Sequence, residues 1–326
     1  MSEPRSERQL KAVALGGGHG LHASLSALRL FTCDLTAVVT VADDGGSSGR
    51  IRRELKVLPP GDLRMALAAL AGDSDEHARW AQLLQHRIGG QGMLAGHPVG
   101  NLMLTALLER EGDPAAALAQ LGSLVGAVGR VLPMSPVPLD LVAEADRFDP
   151  DNPNRRRRIR GQSSIAATPG RVRSVQLLPV GAPASAAAVD AVREADLVVL
   201  GPGSWFTSVI PHLLLRELGT ALCATPARVF VVLNLVPQAG ETDDYAPHQL
   251  LDLLQEHAAP RGGLKIDTVL ADAESLLDQE QLARHVSGIG ARLVVSRLAA
   301  DDSTERHDPS RLGAAIREAW DGIGPG

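Results

Sequence analysis

Short apolar runs alternate with glycine-rich polar turns along this chain. Lys11–Leu15 (KAVAL) is apolar and leads into GGGHGLHASLSALRL, where Leu21, Leu25 and Leu28 repeat at helical spacing. Leu35–Ala42 (LTAVVTVA) is a second β-branched run. Strand, helix and strand in that order predict a βαβ unit with a right-handed crossover and a largely parallel sheet. Strands this apolar suit a sheet covered on both faces. Asp43–Lys56 reads as a loop, and Asp62 as the cap of a helix over Leu63–Ala71. Asn101–Arg110 and Pro114–Ala127 read as helices, Pro-broken Val128–Ala145 as short edge strands, and Asp149–Gly170 as loop. Strands are then predicted at Leu197–Leu200, Val229–Leu233, Thr268–Ala271 and Arg292–Ser296. Helices are predicted at Asp190–Glu194, Ser208–Leu218, Gln249–Glu256 and Arg311–Trp320. The expected fold is α/β: a Rossmann-like, doubly wound, mostly parallel sheet in three layers. It forms one domain over 11–326, with a small insertion at about 128–175 and a flexible N-terminus over 1–10.

Composition narrows the function. The chain is 44% hydrophobic but only 2% aromatic, so its core must be built from Ala, Leu, Val and Ile, and aromatic stacking does not dominate ligand binding. A net charge of −6 argues against nucleic acid as a partner. The basic run Arg155–Arg158 is a solvated loop or an anion contact. Cys33 and Cys223 lack metal spacing and read as small hydrophobes in a reducing compartment. The polar N-terminus has no signal-peptide core, and no apolar stretch reaches the roughly 20 residues of a membrane helix. The expected setting is the cytoplasm, with no membrane span.

Candidate chemistry collects where strands end, the place where open parallel sheets bind ligands. Gly16–Gly20 follows the first strand; Gly17, Gly18 and Gly20 let backbone amides approach an anion, and His19 either contacts a phosphate or is structural. It is neither a clean GxGxxG nor a P-loop. Asp43-Asp44-Gly45-Gly46-Ser47-Ser48-Gly49-Arg50 follows the second strand. Its adjacent carboxylates need a cation, donors or solvent, and they suit Mg²⁺; its glycines and Ser47 suit an oxyanion and Arg50 a phosphate. Asp62 caps a helix or faces the cleft, while His97 and Asn101 stand at the start of another helix. Gly201-Pro202-Gly203-Ser204-Trp205-Phe206-Thr207 repeats the first turn's logic after LVVL. Asn234 ends a later strand, and Thr242 and Tyr245, the only tyrosine, lie in the polar loop beyond it. No GxSxG, HExxH or CxxC occurs, so hydrolytic triads and structural zinc are unsupported.

Together, GGGHG, VTVADDGGSSGRIR, LPPGDLR, GHPVGNLMLTALL, GPGSWFTSVIPHLL and NLVPQAGETDDY closely resemble the YvcK-type family of gluconeogenesis factors, relatives of the CofD-like 2-phospho-L-lactate transferases. The match runs in order over about residues 11–250. The resemblance implies binding of a nucleotide sugar, notably UDP-N-acetylglucosamine, and a regulatory role linking carbon metabolism to cell-wall synthesis and cell shape. A catalytic reaction is not implied for this branch, and catalytic residues are unassigned. In the transferase branch two aspartates hold Mg²⁺; these map to Asp44 and Asp62. The family's nucleotide-sugar tyrosine maps to Tyr245. His19 stands where the family commonly has Thr, and Trp205-Phe206 where it has Leu-Tyr; no motif matches beyond about residue 255. The rival expectation is a Mg²⁺-dependent transferase of a phosphorylated or nucleotide-activated substrate. A dinucleotide oxidoreductase fits worse, because the acid expected about 20 residues after the turn is missing. A regulatory protein partner and a homodimer are further expectations.

Overall fold

A computed structural model describes residues 9–322 apart from 150, 239 and 244; most of the expected flexible N-terminus lies outside the described residues. The strands are β1 (Ala12–Gly16), β2 (Leu35–Val39), β3 (Arg130–Pro133), β4 (Asp140–Asp146), β5 (Arg157–Arg160) and β6 (Arg171–Leu178). After them come β7 (Leu197–Leu200), β8 (Arg228–Val232), β9 (Thr268–Asp272), β10 (Arg292–Ser296), β11 (Ala299–Ala300) and β12 (Ser303–His307). Seven strands form one sheet in the order β10-β9-β8-β7-β1-β2-β3, with every neighbouring pair parallel. Every residue of β1, β2, β7 and β9 is buried, as helical cover on both faces requires. The chain winds one way from β1 to β3 and the other way from β7 to β10. The strand order therefore reverses between β1 and β7, and the carboxyl ends of both carry glycine turns.

Five helices in the first half set the site: α1 (Gly18–Leu28), α2 (Gly46–Leu55), α3 (Pro60–Ala69), α4 (Asp75–Gln85) and α5 (Val99–Glu111). Helix α1 buries Leu21, Leu25 and Leu28 against the sheet, so its first turn is fixed beside β1. A separate antiparallel sheet, β5-β4-β6, spans the middle of the chain. β3 lies in the stretch expected as insertion but belongs to the main sheet. No helix among the described residues is long and apolar enough to cross a membrane.

Several expectations need correction. Asp43–Lys56 is not a loop, because α2 begins at Gly46. Its sequence GSSGRIRREL is a poor helix former. Tertiary fit overrides this: Ile51 is buried, and Gly49 packs its bare Cα against the Asp44 carbonyl. Asp62 does not cap α3; Pro59 takes the cap position and Pro60 the first turn. The expected helix Ser208–Leu218 is broken into a π-turn over Trp205–Val209 and helices Pro211–Leu214 and Arg216–Ala224, with Pro211 at the break. Asp149–Gly170 holds β5 and a short helix, Gln162–Ala166.

The two glycine turns at the strand-order reversal touch backbone to backbone. A Cβ on Gly20 would lie 2.7 Å from the Gly203 Cα and closer still to the Pro202 carbonyl. Gly288, which ends the helix Gln279–Gly288, has open space around it. Gly20→Ala should therefore destabilise by about 1–3 kcal/mol despite its helical position, whereas Gly288→Ala should stabilise by about 0.4–1 kcal/mol. Urea unfolding midpoints of the two variants would check both signs.

Candidate functional site

The first turn runs from buried Gly17 through half-buried Gly18 to Gly20, with polar side chains behind it. Gly17 lies where a Cβ would be 2.6 Å from Asp62 Oδ2 and 3.3 Å from Ser208 Oγ. Gly18 has φ +56°, a conformation that favours glycine, and its N–H donates to Asp62. His19 is exposed. A cavity of about 430 Å³ opens over this turn, lined by His19, Gly20, Gly203 and Asn234, and by Glu305, Arg306 and His307 of β12. The sequence reading did not find β12. Arg306 chelates Asp302 with one nitrogen, 2.6 and 2.7 Å from its two oxygens. The His307 ring is buried with no partner for Nε2.

The second turn is committed internally, against the expectation that it is free to bind. Asn234 clamps Gly203: its Oδ1 accepts from Gly203 N–H at 2.8 Å, and its Nδ2 donates to the Gly203 carbonyl at 3.0 Å. Ser204 Oγ accepts from Thr207 N–H at 3.0 Å, contacts the Thr207 hydroxyl and donates to Glu241. Glu241 is itself buried and accepts the Phe206 N–H at 2.8 Å. Its carboxyl is raised by burial, with those donors opposing. The anion that fills this turn is thus the chain's own Glu241. Gly201 (φ +76°) packs against the Val232 carbonyl.

The second constellation is a half-buried carboxylate pair. Asp43 accepts Gly45 N–H at 2.9 Å and is raised by burial, with Asp44 adding to the effect. Asp62 is raised to about 7, first by burial and then by the charge of Asp43, with the Gly18 N–H opposing. Asp62 is therefore coupled to Asp43 rather than to Asp44. Asp44 turns away and accepts the Ser163 N–H at 2.8 Å. Ser48 Oγ accepts the Gly61 N–H at 3.0 Å beside Asp43, and the Thr40 hydroxyl is buried without a partner near Gly17. Asp43 and Asp62 are the residues present that would hold a hard divalent cation, whose shell phosphate and water would complete. Among the described residues no three His, Cys, Asp or Glu side chains gather as a cage.

Ser47, His97 and Asn101 form a closed network instead of lining the cradle. Ser47 Oγ is 2.7 Å from His97 Nδ1 and accepts from Asn101 Nδ2 at 2.9 Å; Asn101 Oδ1 accepts from buried Arg64 Nε at 2.9 Å. Burial and Arg50 push His97 down, with Glu54 opposing. Arg50 donates to the Ala95 carbonyl at 3.0 Å and lines, with His97, a separate groove. Gly45 and Gly46 form the entry to α2, where a Cβ on Gly45 would meet Ser163 Oγ at 2.6 Å.

Tyr245 and Thr242 border a second cavity, of about 510 Å³, which shares the wall Asn234–Pro237 with the first. Tyr245 is buried and its hydroxyl donates to the Val172 carbonyl at 2.6 Å, so that hydroxyl is occupied within the protein. Thr242 Oγ1 accepts the Gln238 N–H at 2.8 Å and pins the loop.

Fold and site thus define a Rossmann-like α/β protein with a cleft beside the glycine turns at its strand-order reversal. The family described as 2-phospho-L-lactate transferase CofD matches residues 12–303. A Mycobacterium tuberculosis relative is 54% identical over 307 residues, covering 93% of this chain and 88% of that protein. The gluconeogenesis factor of Bacillus subtilis is 38% identical over 269 residues, covering 82% and 80%. A crystal structure of a UPF0052 family member from Bacillus halodurans superposes with a TM-score of 0.84 at 32% identity, covering 96% of this chain and all of that one. The chain belongs to the CofD family, in its gluconeogenesis-factor branch.

The Asp62 carboxyl sets a pH test. Its unfolded value is 3.8 and its folded value about 7, so ionisation opposes folding. The contribution to stability is full below 3.8 and is lost as pH rises through about 7. Asp62→Asn should match the parent at pH 4 and exceed it at pH 8 by on the order of 2–4 kcal/mol. Thermal melts across pH without divalent metal would show a constant difference if the carboxyl were ordinary.

Proposed function

We propose that this protein is a regulator that binds a nucleotide sugar, of which UDP-N-acetylglucosamine is the expected ligand, and links carbon metabolism to cell-wall synthesis and cell shape. The observation that carries the reading is the pair of adjoining cavities. One has an open glycine turn, His19 and Arg306 for a diphosphate; its neighbour, across Asn234–Pro237, has apolar walls and the Tyr245 ring for the remainder of the ligand. In this reading the diphosphate sits over the first turn of α1 at His19 and Gly20, which line the cavity, while the Gly18 N–H stays with Asp62. The second turn, filled by Glu241, acts as a wall. No reaction is needed for this role, and none of these groups is placed as an activated nucleophile.

A second reading rests on Asp43 and Asp62, whose mutual burial is costly for a protein that only binds. A transferase would use both to hold Mg²⁺, which neutralises charge on phosphoryl oxygens. In that reading Gly17 and Gly18 orient the phosphate, while Asp44 positions the Gly161–Ser163 segment.

Calorimetric titration with UDP-N-acetylglucosamine, UDP-glucose and NAD, with and without Mg²⁺, tests both. Selective binding of the first, surviving removal of metal and giving no product, is expected. Arg306→Ala should weaken it about tenfold, the worth of one charge-assisted contact. Tyr245→Phe should leave affinity within about twofold, because the hydroxyl is already spent on Val172. Metal-dependent product formation, abolished in Asp43→Asn, would replace the regulator reading with the transferase; no binding of any of the three would remove the ligand assignment.

A further inference from the structure

Residues 147–160 carry Arg147, Arg155, Arg156, Arg157, Arg158 and Arg160 against only Asp149 and Asp151, on a chain whose net charge is −6. The fold puts five of these arginines at one exposed place. β5 is the edge of the small antiparallel sheet; it pairs with β4 and, among the described residues, no strand covers its other side. Arg155–Arg158 and Arg160 are exposed.

The carboxylates of β4 are already engaged. Glu144 pairs with Arg156 at 3.1 Å, Asp140 with both Arg52 and Arg160, and Asp146 with Arg173 at 2.7 Å. Arg157 lies 4.7 Å over the Phe148 ring. Arg155 and Arg158 make no ion pair with the described residues. The surplus is therefore not a neutralised surface lattice.

We propose that β5 is a docking edge for an extended acidic segment of a partner protein, which adds to the β5-β4-β6 sheet as a fourth strand. The free N–H and C=O groups of the edge supply hydrogen bonds, and Arg155 and Arg158 select the sign of the incoming strand. Cationic side chains on an edge commonly prevent pairing with neighbours. That protection acts against neutral and basic strands and fails against acidic ones. A second copy of this chain is disfavoured, because β5 against β5 would place arginines opposite arginines. Nucleic acid would use the cations but leave the edge carbonyls facing phosphate. The strand also runs straight into Gly161–Ser163, whose Ser163 N–H holds Asp44, so an occupant of β5 would bear on the carboxylate loop.

The test is fluorescence anisotropy of the whole protein with a labelled alternating Glu-Val decapeptide. Saturable binding is expected, weakened about tenfold by the double variant Arg155→Glu/Arg158→Glu. Both side chains are exposed and make no ion pair with the described residues, so its thermal melt should match the parent. The same peptide N-methylated on alternate residues keeps its charge but cannot pair along one edge, and should bind about tenfold more weakly. Equal binding of the methylated peptide, no effect of the double variant, displacement by a single-stranded DNA of equal charge, or no peptide binding would each overturn the proposal.

Discussion

The close approach of two backbones at the strand-order reversal organises this molecule. Gly20 in the first turn of α1 packs directly on Pro202 and Gly203 after β7. No side chain fits between them. That contact fixes α1 at one height over the sheet and holds its first turn open toward solvent, while Asn234 locks Gly203 from the other side. The cavity under His19 and Arg306 exists because two strands that wind in opposite directions end with turns too thin to fill the space between them.

The same geometry explains why only one of the turns remains available. Sequence presents Gly16–Gly20 and Gly201–Gly203 as equivalents. In the fold, the GETD loop returns over the second and places Glu241 on the Ser204 hydroxyl and the Phe206 amide. A buried carboxylate there satisfies backbone donors that would otherwise be orphaned in a place with little solvent. In the first turn the Gly18 N–H likewise has an internal partner, Asp62, but His19 and Gly20 face the cavity.

Much of the fold was legible because buried parallel strands are apolar throughout, as at β7, which falls where LVVL predicts it; β10, only partly buried, still shows an apolar centre in RLVVS. What escaped did so for local reasons. β6 carries buried Val172 and Val175 an odd number apart, because its ladder with β4 slips between Glu144 and Ala145; the bulge hides the two-residue period. β12 reads STERH, polar throughout, so nothing local announced that Arg306 and His307 line the cleft. Asp62 looked like a cap because a carboxylate after Pro-Gly often is one. Its other reading, as a residue facing the cleft, is the one the approach of Gly17 and Gly18 from the turn after β1 favours. Asp43 and Asp44 were read as a pair, and their opposite orientations could not be seen from adjacency alone.

The half-buried pair ties ligand to charge. Asp43 and Asp62 cannot both remain ionised in this setting without a compensating positive charge, which is why their carboxyls are raised. With Asp62 raised to about 7, the pair exchanges a proton near neutral pH. A phosphate entering the first turn adds negative charge within reach of the pair and makes that proton harder to lose, unless a cation arrives with it. A phosphate bound alone would favour the protonated pair, whereas a phosphate bound with a divalent cation would favour the ionised one. A regulator and a transferase can be built from the same carboxylates on this basis. What separates them is whether the second event occurs under working conditions.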